Sequence, residues 1–206
     1  MLALCMSLSF SYAQSDSQEP SKNINELGIG FFRFGDGFQV VYRTGKEDNL
    51  WRFSAVNGDF LNTSANDTTS NVIDQKDLQA SFGFRVGKEY RTDIDKNFEL
   101  RYGYDLGYQF YKRNSYDEYE TEKWETTAVS HTPLLNLVLG LNYSFNDKLV
   151  LGFETLPTFA YSMSETTNSY ENFEFPEESS KKSEEINTFS FNLNSSSLLF
   201  TLAYKW

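Results

Sequence analysis

The chain has 206 residues, a formal net charge of −11 and a single cysteine, Cys5. This length fits one substantial domain or an ordinary all-β barrel, the acidity argues against nucleic acid as a partner, and a lone cysteine gives neither a disulfide framework nor a Cys-based metal site. Mean hydropathy is −0.52 and no run approaches the 18 apolar residues of a membrane-spanning helix, which leaves a membrane barrel open because barrel strands alternate.

The chain starts with a largely apolar stretch, "MLALCMSLSFSYAQ", in which Ser11-Tyr12-Ala13 fits the small-x-small pattern before a cleavage point. Residues 1–13 are read as a secretory signal peptide cut after Ala13, the alternative being a short buried strand. Residues 14–25 then form an N-terminal periplasmic segment, and 26–206 a barrel.

From there the apolar residues alternate. Leu27, Ile29 and Phe31 share one parity, then Phe38, Val40 and Tyr42, then Trp51, Phe53 and Ala55. Leu78 to Val86 repeats the pattern, with Arg85 and Gly87 on the opposite face. In "FELRYGYDLGYQFY" every even position from Phe98 to Phe110 is aliphatic or aromatic, whereas the odd ones include Glu99, Arg101, Gly103 and Asp105. Leu135 to Phe145, Leu149 to Met163 and Leu198 to Trp206 continue the series. A period of two throughout predicts an all-β chain with eight strands, at about 26–34, 38–44, 50–61, 77–90, 97–112, 128–145, 149–163 and 187–206. Pro157 falls inside a strand and predicts a bulge. The parity change between Phe189–Leu193 and Leu198–Trp206 predicts another, across Ser195–Ser197.

Short turns are expected at 35–37, 45–49, 91–97 and 146–148, where Gly, Asn and Asp gather. Long polar loops are expected at 62–76, 113–127 and 164–186. Loop 164–186 carries seven acids against Lys181 and Lys182, and 113–127 carries five against Arg113 and Lys123, so nearly all the net charge sits at one end. Short turns at one end and long loops at the other are the pattern of an eight-stranded antiparallel up-and-down transmembrane β-barrel, with periplasmic turns and extracellular loops.

A soluble, lipocalin-like barrel would turn the Phe/Leu/Tyr face inward. Two features favour the inverse. The opposite face is rich in glycine, which relieves crowding in a narrow lumen, and it carries both signs of charge: Arg43, Arg52, Arg85 and Arg101 against Glu89, Glu99, Asp105 and Glu154. Such a set fits a paired network that closes the lumen, or one that gates a narrow pore. Aromatics near strand ends, Tyr42, Trp51, Tyr90, Phe98, Phe110 and Phe145, are placed at the membrane interfaces.

The stretches "FQVVYRTGKEDNLWRFSAV", "LRYGYDLGYQFYKR" and "SLLFTLAYKW" resemble the small outer-membrane β-barrel proteins of Gram-negative bacteria, the OmpA- and OmpX-like class, above all those of Bacteroidota. The resemblance covers roughly residues 25–206. It implies an exported outer-membrane protein with a structural or interaction role, in contact with outer-membrane lipids, lipopolysaccharide and another outer-membrane protein. It implies that Leu202, Tyr204 and Trp206 form the signal read by the barrel-assembly machinery; the chain departs from OmpA in that no peptidoglycan-binding domain is expected after the barrel.

No cofactor or metal is expected, and no enzymatic activity. The sole histidine, His131, would need a Ser and a carboxylate on its own face, but Ser130 and Thr132 are its neighbours in sequence and point the opposite way. A lipid-modifying barrel enzyme is therefore the weaker alternative. The acidic loops lack calcium-loop spacing and read as a solvated surface, with cation or partner contact the alternative. Asp67-Thr68-Thr69 resembles an O-glycosylation acceptor of Bacteroidota.

Overall fold

A strand slipped by one residue would turn its whole apolar set to the other side, so the alternation fixes how these strands pair. In a computed structural model of the chain, which describes residues 22–32, 38–65, 72–193 and 198–206, the pairing is antiparallel throughout. The strands are β1 (Asn23–Phe32), β2 (Phe38–Lys46), β3 (Asn49–Ala65), β4 (Val72–Asp95), β5 (Phe98–Tyr119), β6 (Glu122–Ser144), β7 (Leu149–Thr155), β8 (Thr158–Asn172), β9 (Ser180–Asn192) and β10 (Leu198–Lys205). Strands β1 to β7 pair in sequence order, and β10 pairs with both β7 and β1, so the sheet returns on itself as a ring. Strands β8 and β9 extend the lines of β7 and β10 beyond the ring, β8 against β6 and β9 against β8. The one helical element among the described residues is a 3-10 turn at Pro176–Glu178, and no helix there is long and apolar enough to cross a membrane.

At one end the connections are tight. Lys46 pairs directly with Asn49, and Gly45 just before this turn has φ +141°, a value that favours glycine. A Cβ there would also sit 2.7 Å from the Asn49 carbonyl oxygen. Trp206 exchanges backbone hydrogen bonds with Asn25 at 3.0 and 2.9 Å, tying the two chain termini of the ring at this same end.

The Phe/Leu/Tyr face points outward, which overturns the lipocalin-like alternative. Leu27, Ile29, Phe53, Phe84, Leu106, Leu139, Leu151 and Leu202 are all exposed, while arginines and carboxylates fill the interior. The outward apolar positions end at Leu78, Phe110, Met163 and Phe189; beyond them the same face carries Lys76, Lys112, Glu165 and Asn187. From Phe98 to Phe110 is roughly 40 Å along the strand, or ~30 Å of height at a ~40° tilt, close to the apolar band of a membrane barrel.

Three expectations change. The stretches 113–127 and 164–186 are mostly strand rather than loop: β5 and β6 pair out to Glu118 and Lys123, and β8 and β9 out to Tyr170 and Ser180. Pairing set by the apolar band below continues upward through Thr, Tyr and Trp residues that suit a strand. Pro157 makes no bulge against β6. Asn136↔Thr158 and Leu139↔Thr155 keep one register on either side of it, and its carbonyl accepts from Leu137 N–H at 2.9 Å. The irregularity lies on the other side, where the register shifts by three residues between Thr158↔Asn192 and Thr155↔Leu198. That odd offset exchanges the faces between β9 and β10. Strand β1 starts at Asn23, inside the segment expected to precede the barrel. The signal stretch 1–13 with Cys5, the turn at 35–37, Asp67–Thr69 and Ser195–Ser197 lie outside the described residues.

Candidate functional site

The lumen collects the inward side chains of every ring strand, and its crowding explains the glycines. A Cβ on Gly152 would lie 2.6 Å from both Arg101 Nη2 and Thr201 Oγ1; one on Gly87 would run into the Tyr104 carbonyl oxygen of the neighbouring strand and then Asp105 Oδ1. Glycine at these positions leaves the volume into which the arginines extend.

Glu89 of β4 is the hub. It accepts from Arg43 Nε at 2.9 Å, Arg52 Nη1 at 3.3 Å and Arg91 Nε at 2.8 Å, with Arg101 at 3.8 Å. Glu154 of β7 takes the Arg52 fork with both oxygens, at 2.7 and 2.5 Å, and Arg101 at 3.3 Å. Glu26 of β1 joins Arg43 at 2.8 Å to Arg91 at 2.7 Å. Asp105 faces Arg52 Nε at 3.2 Å, and Glu99 closes the turn end with Arg91 at 3.4 Å and Asn142 at 2.9 Å. Arg85 donates to Gln39 at 3.2 Å. The five arginines 43, 52, 85, 91 and 101 balance the five acids 26, 89, 99, 105 and 154. A charge that costs several kcal/mol when buried alone is here held among opposite charges.

Apolar side chains close the rest. Ile24, Leu50 and Val150 are buried inside the turn end. Leu156, the next inward side chain beyond Glu154 on its strand, packs with Val138 and Leu199.

Of the eight charged residues named from the sequence, Arg43, Arg52, Glu89, Arg101, Asp105 and Glu154 are fully buried here, Arg85 is nearly so, and Glu99 sits at the rim. Glu26 and Arg91 were missed, yet both share the parity of residues already named: Glu26 that of Gly28, Arg91 that of Glu89. The interface aromatics form two groups on the outer face. At the turn end Trp51 lies under Lys88, and rings pair as Tyr90–Tyr102, Phe98–Tyr143, Tyr143–Phe145 and Tyr204–Trp206, at 5.0 to 6.0 Å between centroids. At the other end Phe110 contacts Phe82 and His131. Tyr42 stacks on Phe53, and its hydroxyl donates to Asn25 Oδ1 at 2.9 Å. Leu202 faces outward from β10 between Ile29 and Leu151. His131 also faces outward, bonded to the Tyr108 hydroxyl, whereas Ser130 and Thr132 face inward onto Ser162 at 2.9 and 3.2 Å.

No family model and no curated protein matches this chain. Among solved structures, it is similar to a major outer membrane protein from Thermus thermophilus, with a TM-score of 0.52 and 12% identity over 89% of this chain and 99% of that one. A KdgM porin aligns over 89% and 98% at 11% identity, but with a TM-score of 0.21 that supports no argument. The first likeness shows a shared fold: an all-β antiparallel sheet of the outer-membrane barrel kind.

Proposed function

We propose that the chain is an integral outer-membrane β-barrel of the small eight-stranded class, exported by its signal peptide to the outer membrane of a Gram-negative bacterium. Its role is structural or interactive rather than enzymatic or pore-forming. The observation that carries this reading is the inversion of the two faces: a continuous exposed band of Leu, Phe and Tyr outside, and a fully buried, charge-balanced network inside. Water offers no reason for such an outer face, whereas lipid does. Outer-membrane lipids and lipopolysaccharide surround the band, Leu202, Tyr204 and Trp206 present an outward surface to the barrel-assembly machinery, and a further outer-membrane protein is the partner class.

Gel mobility of the outer-membrane fraction, with and without boiling, tests it. An unboiled band that migrates faster and shifts on boiling is expected. Recovery of the protein as a soluble periplasmic species, with no heat shift, would overturn the reading.

A further inference from the structure

Above the apolar band, β4, β5, β6, β8 and β9 continue as a curved sheet whose two faces both meet water. Its inner face can be read row by row from the pairing. Arg113, Ala128 and Thr166 form one row, then Ser115, Thr126 and Asn168, then Asp117, Trp124 and Tyr170. These positions have the parity of Asp105 on β5, Asn136 on β6 and Ala160 on β8, all buried in the lumen below.

This face has a definite chemistry. The Trp124 and Tyr170 rings lie 4.5 Å apart, and Trp124 is 51% exposed. The Tyr170 hydroxyl donates to Glu122 at 3.1 Å, and Thr126 donates to Asn168 at 2.9 Å. Two cations fall on these rows: Arg113, forked onto Asp77 at 3.0 and 2.8 Å, and Lys182 of β9 opposite Asn168, with Glu184 of the same strand opposite Thr166. At the lumen mouth Ser130, Ser162 and Ser164 form a chain of hydroxyls.

Each ligand class meets these residues differently. An anion finds Arg113 already neutralised and Lys182 flanked by Glu184 on the same face of β9, with Glu122 and Asp117 nearby. An acyl chain finds rows of hydroxyls and amides. A neutral polyol with one apolar face suits both parts: its C–H face lies on the aromatic pair, and its hydroxyls exchange hydrogen bonds with Asn, Thr, Ser and the Arg–Asp fork. We propose that this inner face binds a free neutral saccharide chain, with a sugar ring seated on Trp124 and Tyr170. Lipid-linked sugars of the surrounding leaflet stand against the outer face of the same sheet, so a chain entering along the barrel axis is the occupant. The choice of a free chain over a lipid-linked one rests on the membrane reading, which the heat-shifted gel mobility tests separately from sugar binding.

The test is calorimetric titration of the full chain, folded in dodecyldimethylamine oxide micelles, which lack sugar head groups. The probes are maltohexaose, laminarihexaose and hexa-N-acetylchitohexaose, with oligogalacturonate as the anionic comparison. At least one neutral chain is expected to bind saturably. Trp124→Ala should weaken it by about tenfold or more, Trp124→Phe much less, and Lys76→Ala on the outer face not at all. Heat-shifted gel mobility confirms that each variant is folded. Three outcomes overturn the proposal: no saturable binding by any neutral probe, unchanged affinity in Trp124→Ala, or tighter binding of oligogalacturonate.

Discussion

Arg52 and Arg113 both fork onto a carboxylate, yet the two pairs have different consequences. Arg52 and Glu154 have fully buried side chains at 2.5 Å, with Asp105 at 3.2 Å on the same guanidinium. Truncating Arg52 removes the guanidinium between Asp105 and Glu154, leaving Glu154 with Arg101 at 3.3 Å, and breaking a buried pair in this way costs on the order of 3–5 kcal/mol. Arg113 and Asp77 are 50% and 30% exposed, and water replaces either partner, so Arg113→Ala should cost far less than the loss of Arg52. Urea unfolding in lipid vesicles would compare the two, and equal losses would contradict the burial argument. The exposed pair also has a pH sign. Hydrogen bonds from Arg113 hold the Asp77 carboxyl below its usual range, so its small contribution is present above the unfolded carboxylate pKa and fades as pH falls through the lowered value. Which residues join the network was readable only as far as parity could be followed. Arg43, Arg52 and Glu154 lie in the middle of clear alternations. Arg91 opens "RTDIDKN", whose Asp and Asn residues indicate a turn, although 85, 87, 89 and 91 fall on one face of β4. Glu26 was placed at a strand start, where one residue of parity gives no pattern.

The strands show where alternation loses its force. Within the apolar band, a one-residue error would put Phe into the lumen and Arg into lipid, so sequence alone locates the strand and its face. Above Phe110 both faces meet water, the contrast vanishes, and 113–127 reads as a polar loop although it folds into paired strand. Pro157 misleads for a different reason. It removes one N–H from the ladder but leaves its own carbonyl bonded to Leu137, so β6 never shifts register, and the offset falls on the opposite neighbour, between Asn192 and Leu198. The length of the upper strands is measurable by amide hydrogen exchange in micelles. Amides of 112–118 and 123–130 should exchange more slowly than those of the connections at Glu120–Thr121 and 173–179, because ladder hydrogen bonds must open first. Uniformly fast exchange from 113 to 127 would restore the loop reading and remove the rows on which Trp124 and Asn168 are aligned.

Closure of the barrel rests on two kinds of layer that fail under different changes. The charge network spans the lumen from Glu26 to Asp105 and carries no net charge, so it offers neither a cation nor an anion a favourable path. Its members make short contacts, and a permeating ion would have to separate them in a medium where unpaired charge is costly. The apolar cluster of Val138, Leu156 and Leu199 is the second obstacle, because a dry constriction resists hydration. An eight-stranded ring is only just wide enough for side chains to fill, which makes both layers compatible with one barrel. In planar bilayers the native chain should therefore show no discrete conductance steps. Arg52→Met with Glu154→Gln, which removes one charge of each sign, should remain silent because the apolar layer persists. Leu156→Ala with Leu199→Ala should also remain silent, held by the intact charges. Steps are expected only when all four substitutions are combined. Conductance in the native chain would favour the narrow-pore alternative, and conductance on loss of the charge pair alone would show that the network, without the apolar layer, keeps the lumen shut.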